Sequence, residues 1–214
     1  MKTAVFGAAG WLGRAVLANF AGRHQVRAFD YSPKAWETWR DVDGEWQGET
    51  VHGDIADYQT VDLAVEGVEG IVHMILYAAP SGSKDEDPYW LIYLKGLWNV
   101  LEAARKHGVK RVVHLGSCQT VHPKGTFFTS QVRRPDSSLY AVQKRLQEEL
   151  CRQYHEGHGL SIIVLRPDYI VDSRLGLGRH REKLGQGGTP MKNGWVCRHD
   201  LAQACRLALE TDKV

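Results

Sequence analysis

No hydrophobic run in this 214-residue chain approaches the ~20 apolar positions that a membrane-crossing helix needs. Cysteine is scarce: Cys118, Cys151, Cys197 and Cys205 contain no C-x-x-C pair, so neither a zinc site nor a disulfide framework is expected. A reducing, cytoplasmic setting follows as the default. His52, His73, His107, His114, His122, His155, His158, His180 and His199 are scattered without ligand spacing, and no metal is expected. A net charge of +2 with no long block of one sign argues against nucleic-acid and membrane partners. Internal repeats and low-complexity tracts are absent. Lys2 and the small apolar residues after it resemble a leader, but Arg14 and the glycines interrupt the run that a cleavable segment would need.

What is present begins with a strand, a glycine turn and a helix. Val5 and Phe6 close a short apolar run, Gly7-Ala8-Ala9-Gly10-Trp11-Leu12-Gly13 follows, and Arg14 to Phe20 carries helical periodicity. Gly7 permits a tight turn, Gly10 lets backbone amides approach a pyrophosphate, and Gly13 allows close helix–sheet packing, with the helix N-terminus facing the phosphate charge. The next strand, Gln25 to Phe29, ends in Asp30, about where an acidic residue accepts ribose hydroxyls, ~20 residues on. Asp30 favours NAD because its charge repels a 2′-phosphate. Arg27 and Lys34 lie near enough in sequence that NADP is not excluded.

A second constellation lies far downstream. Tyr140 and Lys144 stand four residues apart and so share one helix face, where an ammonium can favour the phenolate. A phenol near its ordinary ~10 is a poor base at neutral pH, so a neighbouring cation has a chemical purpose.

Between these motifs strands and helices alternate, which predicts an α/β chain with a doubly wound parallel sheet. A strand is expected at Val51, a helix over Tyr58 to Val65, strands over Ile71 to Leu76 and Arg111 to Leu115, and a long helix from Tyr89 to His107. The Tyr140 helix should run from Ser138 to Tyr154, a sixth strand from Leu160 to Leu165, and a last helix to Glu210 with Asp200 as its N-cap. The length suits one dinucleotide-binding domain, 1–214, with 173–195 as a short substrate-side insertion. Trp36 and Trp39 at i and i+3 suggest a short helix packed on the sheet.

In the order and spacing of its motifs the chain resembles the extended short-chain dehydrogenase/reductase family, the NAD-dependent epimerase/dehydratase group. The matching pieces are Gly7-x-x-Gly10-x-x-Gly13, Asp30, Gly53-Asp54-Ile55, Asn99 to Ala104, Lys110 to Ser117, Tyr140-x-x-x-Lys144, Leu165-Arg166-Pro167 and His199 to Ala202. The approach Pro135 to Tyr140 is similar to that of uronate dehydrogenases. The resemblance implies a Rossmann fold with a much reduced C-terminal lobe. Gly7, Gly10, Trp11, Leu12 and Gly13 would surround the pyrophosphate, Asp30 the adenosine ribose, Asp54 and Ile55 the adenine, and Ala78 and Ala79 the nicotinamide. Tyr140 would be the general base or acid, and Lys144 would bind the nicotinamide ribose while lowering the Tyr140 pKa. The usual Ser/Thr falls on either Ser117 or Cys118. Ser81 and Gln119 would lie on the substrate side. Tyr93 stands where relatives often carry Asn.

Arg174, Arg179, His180, Arg181 and Lys183 fall in a glycine-rich stretch where a carboxylate or phosphate could be clamped, Arg174 being the best placed, soon after Arg166-Pro167. The leading expectation is an NAD-dependent oxidoreductase acting on a small, polar or anionic sugar, sugar acid or polyol. A sugar epimerase or dehydratase is the second reading, and a catalytically weak dinucleotide-binding regulator the third. Relatives' habits imply a homodimer through the two long helices.

Overall fold

The computed structural model describes residues 1–77, 87–121, 136–185 and 194–212. The chain opens with β1 (Lys2–Phe6), α1 (Trp11–Phe20) and β2 (Gln25–Asp30), continues through a 3-10 turn at Pro33–Glu37 and the short α2 (Arg40–Asp43), and reaches β3 (Glu49–His52). Then come α3 (Tyr58–Val65), β4 (Gly70–His73), the four-residue α4 (Asp87–Trp90), a π-helical turn at Leu91–Lys95, α5 (Gly96–Lys106) and β5 (Arg111–Leu115). A 3-10 turn at Cys118–Thr120 precedes α6 (Leu139–His158), β6 (Ile162–Leu165), β7 (Tyr169–Asp172), β8 (Leu177–Gly178), β9 (Trp195–Cys197) and α7 (Arg198–Glu210).

Six strands form one parallel sheet in the order β3-β2-β1-β4-β5-β6. β1, β4 and β5 are buried almost throughout, as a helix-covered parallel sheet requires, with Thr3, His73 and His114 as buried polar residues among the apolar ones. One core, with Phe6, Phe29, Ile71, Leu97 and Leu101, packs beneath α3 and α5; a second, with Val5, Phe20, Val72, Val113 and Leu201, lies under α1 and α7. The strand order reverses between β1 and β4, so a crevice opens at the carboxyl ends of these two strands, the place where such sheets bind ligands.

Several expectations shift. The long helix expected over Tyr89–His107 is broken into α4, the π turn and α5. Asp200 sits inside the first turn of α7, whose N-cap is Cys197, because β9 runs directly into the helix. The C-terminal stretch also builds a second sheet, β8-β7-β9, with β7 parallel to β9. Asp172 at the end of β7 accepts from Arg198 Nε at 2.7 Å, and that arginine also pairs with Asp43 at 2.7 Å. The small sheet and the segment after β2 are therefore stapled together at the base of α7.

Candidate functional site

The glycine turn connects β1 to α1. Gly7 has a φ of +86°, and a Cβ on Gly13 would lie 2.2 Å from the Gly7 carbonyl oxygen and 2.5 Å from that of Ala8. No side chain fits at Gly13, so α1 starts tight against the turn. Gly10 is the extended N-cap with no side-chain capping bond, leaving first-turn amides directed at the crevice. Leu12 is buried in the second core. The Trp11 indole is committed elsewhere: its Nε1 donates to the Ile170 carbonyl, and the Arg198 guanidinium lies over its ring.

Asp30 ends β2 beside this turn. Its Oδ2 accepts from the Ala9 amide at 2.8 Å and its Oδ1 from the Tyr31 amide at 2.9 Å. Burial pushes its carboxyl pKa up, and the two amides hold it down less strongly. Arg27, the nearby cation in sequence, is spent on the far side: it pairs with Glu49 and donates to the carbonyls of Leu63, Ala64 and Glu66 at the end of α3. Asp54 is exposed after β3 and accepts from the Ala56 amide, while Ile55 is buried. α5 fixes that corner: Asn99 Nδ2 donates to the Ile55 carbonyl at 2.8 Å, and a Cβ on Gly96 would meet Ile55 Cγ2 at 2.7 Å.

The other wall is made by β5 and α6. Ser138 caps α6, accepting from the Ala141 amide, and Gly159 ends it in the left-handed region. Arg166, just past β6, grips Glu148 of α6 through two 2.9 Å bonds, and Glu148 also accepts from Thr120 Oγ1. That clamp sets the helix over the end of β5. Tyr140 lies near Ser117, whose hydroxyl lowers the phenol's pKa. Ser117 also accepts from the Gln119 amide, and the Gln119 side chain is exposed on the same turn. The Cys118 amide donates to the Pro167 carbonyl, and burial, reinforced by Asp168, pushes its buried thiol up to about 12.

Lys144 is buried and donates to the Leu115 carbonyl at 2.8 Å. Burial lowers its pKa to about 8, partly opposed by Glu148. Burial raises the Tyr140 pKa, while Ser117 and Arg179 lower it.

Arg174 is exposed on the turn after β7 with its amide bound to Asp172. Arg179, also exposed and donating through Nε to His180, follows β8, and its charge acts on both Tyr140 and Tyr93. Sequence reasoning also left Tyr93 as a mere departure. It is 1% exposed, its ring edge-on to Tyr140 with centroids 6.4 Å apart. Ala78, Ala79 and Ser81 lie outside the described residues.

A glycine turn at a strand-order reversal, an acidic residue ending β2, and a Ser-Tyr-Lys wall define a dinucleotide-binding α/β protein of the short-chain type. The chain belongs to the NAD dependent epimerase/dehydratase family, whose pattern matches residues 3–185. It is 32% identical over 167 residues to a uronate dehydrogenase of Pseudomonas putida, covering 75% of this chain and 58% of that protein. Among solved structures it is similar to a short-chain dehydrogenase/reductase superfamily protein of Agrobacterium tumefaciens with bound NAD. That match has a TM-score of 0.70 and 28% identity, and covers 80% of this chain and 50% of the other. The uronate dehydrogenase of Agrobacterium tumefaciens superposes with a TM-score of 0.74 at 25% identity, covering 100% of this chain and 73% of that one. The chain thus spans a little over half the length of the curated relative.

Proposed function

We propose that the protein is an NAD-dependent oxidoreductase acting on a hydroxyl or hemiacetal carbon of a small sugar or sugar acid. The observation that carries this reading is the glycine turn and Asp30 at the reversal of strand order, with Lys144 of the Tyr140 helix seated on the Leu115 carbonyl at the end of β5. The cradle suits a dinucleotide: Gly13 leaves no room for a side chain, α1 offers uncapped amides for pyrophosphate, and Asp30 keeps acceptor capacity for ribose hydroxyls. Asp30, with Arg27 turned to α3, favours NAD over NADP.

When bound, the nicotinamide supplies a hydride acceptor or donor. The chain's residues handle the proton. Ser117 orients the substrate oxygen and the Tyr140 phenol; Tyr140 takes the hydroxyl proton during oxidation and returns it during reduction. Lys144 holds the nicotinamide ribose from its seat on Leu115, and the dinucleotide's charge adds to that of Arg179 in favouring the phenolate. Arg179 receives a carboxylate or other anionic group of the substrate, which supports a sugar acid over a neutral polyol.

The chain acts as one dinucleotide-binding domain, with residues 173–195 forming its substrate side. A homodimer forms through α5 and α6, where Trp98 and Leu146 are 46% and 41% exposed beside Leu94 and Leu150. Among the described residues no helix is long and apolar enough to cross a membrane.

The deciding experiment is incubation with NAD and a panel of hexuronates, aldoses and polyols, following absorbance of the reduced cofactor. Net NADH formation supports the reading. Isomerised sugar without net NADH would mark an epimerase instead, and saturable NAD binding with no conversion would mark a regulator.

A further inference from the structure

Lys144 lies against more than its hydrogen-bond acceptor. Its Nζ sits 5.4 Å from the centroid of the Tyr93 ring, within cation–π range of the negative ring face. An ammonium has three donors, and the Leu115 carbonyl takes one. The other groups facing it are Glu148 and Cys151 further along α6, His114 on β5 and His73 on β4. Both histidines are fully buried and neutral, so neither offers a charge to hold it.

Tyr93 is itself held in place. It lies in the π turn Leu91–Lys95, where the helical hydrogen-bond ladder is interrupted, and its carbonyl accepts from Gln147 Nε2 at 2.8 Å. Gln147 belongs to α6, less than one turn beyond Lys144, so the same helix fixes both the lysine and the ring beneath it. The Tyr93 ring, 1% exposed, packs edge-on against Tyr140 and is buried beside the ammonium.

We infer that Tyr93 is a positioning residue for Lys144, its ring face holding the ammonium over the end of β5 at the place where the family resemblance expects an amide side chain. The inference rests on the reading of Tyr140 and Lys144 as the reacting wall of the site, but its test needs no substrate.

The test is an NMR titration of the full-length protein carrying isotope-labelled lysine, with the Lys144 signal assigned by its loss in Lys144→Met. Tyr93→Phe keeps the ring and should leave the midpoint within about 0.3 of a pH unit. Mono-, di- and trifluorophenylalanine placed at position 93 preserve shape while draining the ring face of charge. Across that series the midpoint should fall stepwise, by about 0.5 to 1 pH unit in all, because a weaker ring favours the charged lysine less. A flat series would overturn the inference. Absence of turnover on every sugar would sink the proposed activity and leave this result standing on its own.

Discussion

The Trp11 indole of the glycine turn lies under the Arg198 guanidinium, 3.9 Å from ring centroid to guanidinium carbon. Trp39 packs on Trp11 at 4.4 Å, and Arg181 lies 4.6 Å from the Trp39 ring, so cations from the C-terminal third bracket two indoles from the first third. Arg198 also neutralises Asp172 and Asp43, all three side chains being largely buried. The glycine turn, α2 and the small second sheet are thus packed together.

Arg198→Met should therefore cost about 3–5 kcal/mol, since it strands two carboxylates that burial has already removed from water. Urea unfolding at neutral pH measures this. A loss below about 1 kcal/mol would show that the buried pairs contribute no more than surface ones.

Asp30→Ala removes the carboxylate that the Ala9 and Tyr31 amides aim beside the ribose position. NAD affinity should fall about tenfold while NADP binding improves, read by calorimetry with each dinucleotide. An unchanged NAD:NADP ratio would mean that Asp30 does not face the ribose.

Arg179→Leu should raise KM for a hexuronate by about 10- to 100-fold, the worth of one charge-assisted hydrogen bond, and spare neutral aldoses. Arg174→Leu should change neither by more than about twofold. The reverse ranking would restore the preference read from the sequence.

His73 and His114 contact each other through Nδ1 atoms 3.0 Å apart, one ring donating and the other accepting. Burial, followed by Lys144, lowers His73 to about 3; burial, followed by His73 and Lys144, lowers His114 well below its ordinary value of 6.5. Their folded pKa values lie below the unfolded ones, so this contribution is complete above pH 6.5 and is lost as the pH falls. Below that point unfolding takes up protons that the native state refuses, adding about 1.4 kcal/mol per pH unit for each ring. Urea midpoints between pH 6 and 4.5 should fall more steeply for the wild type than for the His73→Gln/His114→Gln variant. Parallel slopes would refute the neutral buried pair.

Much of this was legible in the sequence wherever backbone sterics or strict periodicity dictate structure. Gly7, Gly10 and Gly13 fixed the first turn; α3 and β5 have the expected ends, and Ser138 announces the start of α6, which runs four residues past the expected Tyr154 to His158. What could not be read depends on contacts between distant segments. Ser117 and Cys118 are adjacent, and what separates them, the Gln119 amide on the Ser117 hydroxyl and the Pro167 carbonyl on the Cys118 amide, comes from the fold. The small second sheet arises from pairing β7 with β9, strands of four and three residues whose periodicity is too short to register. The π turn carries no composition of its own, so Tyr93 looked like a substitution rather than a buried ring beside Lys144.

The most direct test of the account is Tyr140→Phe, assayed for turnover of whichever sugar the wild type oxidises and for NAD binding by calorimetry on the same preparation. Removing that one hydroxyl should lower kcat by about 10²- to 10⁴-fold and leave the NAD Kd within about twofold. Turnover retained within tenfold of wild type would contradict Tyr140 as the group that moves the proton.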